Sequence, residues 1–151
     1  MVVNDMKIAI GSDHGGFLLK EDVKKYLIDS GFDVNDVGTY SLDSCHYPEF
    51  AIKCANLVSE GVCQFGIIIC TTGEGVTMAA NKIKGIRAGI GYNLEVCKLM
   101  REHNDANIIT LGAKYTSKEE AIERINMFLN TEFLAGRHAI RVQMIKDLEN
   151  K

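Results

Sequence analysis

The chain has 151 residues, 46% of them hydrophobic and 25% charged, with a net charge of −3. A chain this long buries a core without disulfides or a structural metal, and this charge provides no basic face for nucleic acid or an anionic membrane. The apolar runs are too short for a membrane span, and the opening MVVNDMKIAIG lacks the basic-then-apolar order of a secretory signal, so the expected location is cytoplasmic.

In chain order, residues 1–5 are expected to fray, and KIAIG (7–11) predicts a strand. FLLKEDVKKYLIDSG predicts a helix with Leu19, Val23, Tyr26 and Leu27 on its apolar stripe and Gly31 as its stop. FDVNDVG is a second strand, and YPEFAIKCANLVSEG is a helix with an early proline, ended by Gly61. FGIII is the third and most apolar strand, and a short helix is predicted over 75–82. GIRAGIG predicts a fourth strand, LEVCKLMREH a helix, and ANIITLG a fifth strand. SKEEAIERINMFLN predicts a helix capped by Ser117 with Glu120 three residues on, and a last amphipathic helix starts near Arg137.

Five strands, each followed by a helix, predict an α/β fold. The expected form is a three-layer Rossmann-like sandwich with a five-stranded parallel sheet, helices on both faces and a C-terminal helical arm over about 137–149. Residues 1–151 are expected to form a single domain. The five cysteines are odd in number and form no C-x-x-C pair, so reduced thiols are expected. Ligands of such folds bind at the carboxyl ends of the strands, near the point where strand order reverses.

CTTGEG, at the end of the third strand, bares backbone N–H groups at Gly73 and Gly75 where a helix begins, an anion-binding arrangement. A thiol at that lip, Cys70, is favoured as thiolate and suits a general base or a nucleophile. An inert cysteine in a tight turn fits the spacing equally well. The loop is no P-loop, since GEGVT replaces G-K-[ST]. Nor is it a dinucleotide fingerprint, since Met78 stands where a small residue belongs.

GSDHGG sets Asp13 beside His14, a pair able to bind sugar hydroxyls or phosphate, or else a helix cap and a solvated imidazole. REHNDAN places His103 and Asn104 before the fifth strand, either as acid–base chemistry or as a polar helix end. Arg137 and Arg141 are four apart on one helix face, a mutual repulsion that a dianion between them would reverse. The alternative is two solvated arginines with acidic partners. Ile140, Met144, Ile145 and Leu148 form an apolar stripe for the chain's own core or for another subunit. His14, His46, His103 and His138 are scattered without metal-ligand spacing, so no metal is expected.

KIAIGSDHGGFLLKEDVKKYL, DVGTYS, YPEFA, GIIICTTGEGVTMAANKIKGIRA, REHNDAN and LNTEFLAGRHAIRV together resemble the type B ribose-5-phosphate isomerase family, in the family's order and over nearly the whole chain. The resemblance implies an aldose–ketose isomerase of sugar phosphates that works through a cis-enediolate without metal or cofactor. Cys70 then falls on the catalytic base and His103 on the histidine that opens the furanose ring, with Thr72 beside them. Asp13, His14, Tyr47 and Asn104 fall on substrate contacts. Thr71, Gly73, Glu74 and Gly75 belong to the loop around the enediolate. Arg137 and Arg141 fall on the phosphate arginines, with Lys114 nearby. The family forms homodimers, sometimes tetramers, whose subunits share sites.

Three positions depart from the family pattern. Thr71 replaces a glycine, His46 a frequent aspartate, and Lys114 an arginine. Ribose 5-phosphate is the expected substrate. Allose 6-phosphate, galactose 6-phosphate and a non-catalytic sugar-phosphate-binding module remain as alternatives.

Overall fold

The computed structural model describes residues 6–151, so the fraying expected of residues 1–5 lies outside the described residues. β1 (Lys7–Ser12) passes through a 3-10 turn at His14–Gly16 into α1 (Phe17–Asp29). There follow β2 (Asp33–Asp36), α2 (Tyr47–Ser59), β3 (Phe65–Cys70), α3 (Glu74–Ala80), β4 (Ala88–Ile90) and α4 (Leu94–Glu102). β5 (Ile108–Gly112), a 3-10 turn at Ala113–Tyr115, α5 (Lys118–Leu129) and α6 (Arg137–Asp147) complete the order. Gly31 and Gly61 take the positive φ that ends a helix, and Ser117 and Glu120 form the expected capping box. β4 is shorter than the predicted strand. It is an edge strand, and it pairs with β5 only from Ala88↔Ile108 to Ile90↔Thr110.

The sheet is wholly parallel, in the order β2-β1-β3-β5-β4. Alternate side chains of each strand point to opposite faces. On one face Ile8, Ile10, Ile67 and Ile69 pack with Val23, Leu27, Ile125 and Phe128. On the other, Ala9, Ile68 and Ile108 pack with Cys54, Ala55, Val76 and Ala80. The expected three-layer sandwich is therefore present, with β3 buried at its centre. All five cysteines are free, and only Cys45 is partly exposed. Burial pushes the Cys97 thiol up to about 11 and the Cys54 thiol higher still, so both act as small hydrophobes. Among the described residues, no helix is long and apolar enough to cross a membrane.

Strand order reverses between β1 and β3, whose carboxyl ends lie side by side, with Asp13 N–H donating to the Ile69 carbonyl at 3.3 Å. A buried ion pair braces this rim. Lys20 is fully buried, and its Nζ lies 2.7 and 2.8 Å from the two Asp36 carboxylate oxygens. Asp36 also accepts from Lys24 Nζ and Gly38 N–H. Gly38 and Thr39 in turn hydrogen-bond the backbone of Ser12, one residue before Asp13.

Burial alone would raise the Asp36 carboxyl, but the hydrogen bonds from Lys20, Gly38 and Lys24 outweigh it and hold the group below its ordinary 3.8. Its contribution to stability is thus complete above that value and is lost as pH falls through the depressed one. Asp36→Ala strands a buried ammonium. Urea denaturation at pH 7 is expected to show a loss of about 3–5 kcal/mol. The variant should also lose part of the wild type's fall in stability in acid.

Candidate active site

The sequence-predicted residues assemble into two groups. The first sits where β1, β3 and β5 end. Asp13 caps the 3-10 turn, accepting from Gly16 N–H at 3.0 Å, so the capping reading of this residue is correct. His14 lies beside it, and Cys45 N–H donates to its Nδ1 at 3.2 Å. Cys70 is the last residue of β3 and only 5% exposed, so it sits just beneath the rim rather than on its lip. Gly73 N–H donates to its Sγ at 3.1 Å. Gly73 has φ 82, the left-handed conformation that lets the turn fold back onto the sulfur.

The loop that the sequence suggested as an anion nest is partly occupied by its own side chains. Besides the Gly73 contact, Glu74 N–H donates to Thr72 Oγ1 at 3.2 Å. Glu74 also puts a carboxylate into the first turn of α3, where a dianion would otherwise be favoured. Tyr47 lies against Gly75, where any side chain would collide with its ring. Thr71 Oγ1 stands over Gly15, 2.3 Å from the point a Cβ there would occupy. Lys114 N–H donates to the Thr71 carbonyl at 3.1 Å, which ties the turn after β5 to the one after β3.

The second group lies at the other end of the sheet. His103 caps the C-terminus of α4, and Asn104 follows it, ahead of the start of β5. Leu134 N–H donates to the Glu102 carbonyl, and Gly85 N–H to Glu149 Oε1, so α6 crosses this end. Arg137 and Arg141 stand exposed at the start of α6, as the solvated alternative expects, but among the described residues neither has the acidic ion-pair partner it supposed. Cations at a helix N-terminus oppose its dipole, and a bound anion would satisfy both.

One residue of this group was missed by the sequence reading. His138 stacks on His103 with ring centroids 4.2 Å apart and planes 15° from parallel. Desolvation, together with His103, Arg137 and Arg141, pushes His138 below its ordinary 6.5, while Glu102 pulls the other way. The signal lay between the two arginines of GRHAIR, but nothing local shows that this helix returns to α4. Among the described residues, no three His, Cys, Asp or Glu side chains gather as a metal site.

β3 and β5 are in parallel register from Gly66↔Ile108 to Cys70↔Gly112. Cys70 thus lies level with the carboxyl end of β5, whereas His103 ends α4, ahead of the start of that strand. A groove of about 630 Å³ follows the open edge at β4, with Thr72, Glu74 and Asn104 all in its wall.

Fold and side chains together define a class: a doubly wound α/β protein with a thiol, an imidazole and hydroxyls at the strand ends, and a separate basic cluster suited to an anion. The comparisons with known proteins narrow it. A family model described as Ribose/Galactose Isomerase matches residues 8–145. Ribose-5-phosphate isomerase B of Escherichia coli (strain K12) is 38% identical over 145 residues, spanning 96% of this chain and 97% of that protein. The solved structure of Clostridium thermocellum ribose-5-phosphate isomerase B is 45% identical, with a TM-score of 0.95, over 96% of this chain and 98% of that one. The Mycoplasma genitalium structure, solved with bound ribulose 5-phosphate, is 36% identical with a TM-score of 0.93, over 97% of this chain and 98% of that one. The chain belongs to the Ribose/Galactose Isomerase family and is an enzyme of the aldose–ketose isomerase class.

Proposed function

We propose that the chain interconverts ribose 5-phosphate and ribulose 5-phosphate by direct proton transfer through a cis-enediolate, with Cys70 as the base. The observation that carries this reading is the Gly73 N–H aimed at the Cys70 Sγ, which solvates negative charge on the sulfur at a strand end. The thiolate takes the proton from C2 of the open-chain aldose, and the C–H electron pair forms the C1–C2 double bond as the C1 carbonyl becomes an oxyanion. A proton passes from O2 to O1, and the thiol returns its proton to C1. Thr71, Thr72, Gly73, Glu74 and Gly75 surround the enediolate, and fixed dipoles there favour the transition state over the substrate. Asp13, His14 and Tyr47 hold the sugar hydroxyls, and Lys114 adds positive charge to the rim.

Before that step the furanose must open. His103 serves this role, with Asn104 beside it: the C1–O4 bond breaks, O1 loses its proton as the carbonyl forms, and O4 gains one. Arg137 and Arg141 take the phosphate. The Glu74 carboxylate supports that assignment, since it repels a dianion from the Cys70 loop.

We infer that the two groups serve one sugar across two copies of the chain. A homodimer does this by laying the His103–Arg137–Arg141 end of one copy over the Cys70 rim of the other. The described residues act as one domain in this reading, with α6 as its dimerisation arm. Ile140, Met144 and Ile145 of α6 are exposed, as is Leu148 just past its end, so the apolar stripe is not spent on the chain's own core. Thr71 crowds the rim above Gly15, which favours a five-carbon chain over allose 6-phosphate or galactose 6-phosphate.

The test is enzyme with ribose 5-phosphate in deuterium oxide, followed by NMR. Ribulose 5-phosphate carrying deuterium at C1 is the expected product. No turnover of any five- or six-carbon aldose phosphate would overturn the proposal.

A further inference from the structure

Asp105 follows His103 and Asn104 directly and has φ 47, a left-handed backbone that aspartate and asparagine tolerate better than most residues. Two arginines hold it there. Arg101 Nη1 donates to Asp105 Oδ1 at 2.9 Å, and Arg87 Nη2 to Oδ2 at 3.4 Å. Arg87 Nε donates to the Asp105 carbonyl at 3.0 Å. Arg101 also donates to the Ala106 carbonyl at 2.7 Å and the Thr131 carbonyl at 3.1 Å. Its guanidinium lies over the Phe65 and Phe128 rings, 5.0 and 5.8 Å from their centroids, and the residue is 7% exposed.

These contacts join three elements at one point. Arg87 leads into the edge strand, Arg101 belongs to α4, and Thr131 starts the segment that carries the chain to α6 and to His138 on the His103 ring. A loop needs no such clamp merely to connect a helix to a strand. Each arginine gives the carboxylate one N–H and also holds a backbone carbonyl of Asp105 or Ala106, which fixes the direction in which the preceding residues leave α4.

We propose that Asp105, gripped by Arg87 and Arg101, is a positioning residue that aims His103 and Asn104 at the sugar ring. This rests on the reading of His103 as the ring-opening group. The clamp touches no substrate, and its effect passes through the imidazole.

The test uses the full chain and compares two rates. Turnover of ribose 5-phosphate starts from a furanose and needs ring opening. Deuterium exchange into C1 of ribulose 5-phosphate does not, because its O5 carries the phosphate and the ketose is acyclic. Asp105→Asn keeps the backbone conformation and loses the charge. It is expected to cut turnover about tenfold or more while exchange stays within about threefold, since a misaimed group costs rate without harming Cys70. A merely structural role lowers both rates together, through lost active protein, and that result overturns the proposal.

Two further variants complete the test. His103→Asn should separate the two rates in the same way. If it separates them and Asp105→Asn does not, the clamp fails alone. If His103→Asn lowers both equally, the ring-opening reading fails and the clamp with it. Where circular dichroism shows Asp105→Asn unfolded, Arg87→Lys carries the test, because it keeps the charge but loses the fork that bridges carbonyl and carboxylate.

Discussion

Cys70→Ala is expected to lower ribose 5-phosphate turnover by about 10²–10⁴-fold, the range a positioned general base supplies, while ribose 5-phosphate still binds. The fold should survive the change. Cys70 is 5% exposed and belongs to the apolar cluster on the α2–α3 face of the sheet, where alanine removes one sulfur and little volume. Gly73 N–H loses its acceptor, a cost of about 1–3 kcal/mol if no water replaces it. Deuterium exchange into ribulose 5-phosphate should fall by the same factor as turnover, because both need the C–H step. Binding measured by calorimetry separates lost chemistry from lost structure. A Cys70→Ala enzyme that turns over at the wild-type rate would remove the base assignment.

The fold was legible in the sequence wherever a single element carried its own signal. FGIII marked the central strand because a parallel strand covered on both faces is apolar throughout. Ser117 and Glu120 marked the start of α5 because a capping box is local chemistry. Lys20 shows the limit. It follows Leu19 on the buried side of α1, yet a lysine there reads as solvent-facing until Asp36 is seen beside it. β4 was overestimated because GIRAGIG is apolar enough for a longer strand, and its true length depends on how much of β5 it can reach.

The candidate site divides along the same line. Asp13, His14, Cys70 and the Thr71–Gly75 loop were legible because the fold class itself points to the carboxyl ends of β1 and β3. That His103 meets His138 depends on the path of residues 131–136 back across α4. That path is set by the Leu134–Glu102 hydrogen bond and by the Arg101 contact to Thr131, which no spacing rule contains.

The proposed sharing of one site between two copies leads to the other large effect. Cys70→Ala and His103→Asn homodimers are each expected to be nearly inactive. A mixture refolded together should recover activity. In a mixed dimer one shared site receives both lesions. The other receives His103 from the Cys70→Ala subunit and Cys70 from the His103→Asn subunit, and is intact. Random pairing makes about half of the dimers mixed, so recovery should approach about a quarter of the wild-type rate. If each site lay within one chain, every site in the mixture would carry a lesion and no recovery would follow. The level of recovery thus distinguishes a site shared between copies from one that closes by bending α6 within a single copy. Adding Met144→Asp to both variants is expected to abolish the recovery, since a carboxylate on the exposed stripe of α6 opposes the proposed docking of Arg137 and His103 over the partner's rim.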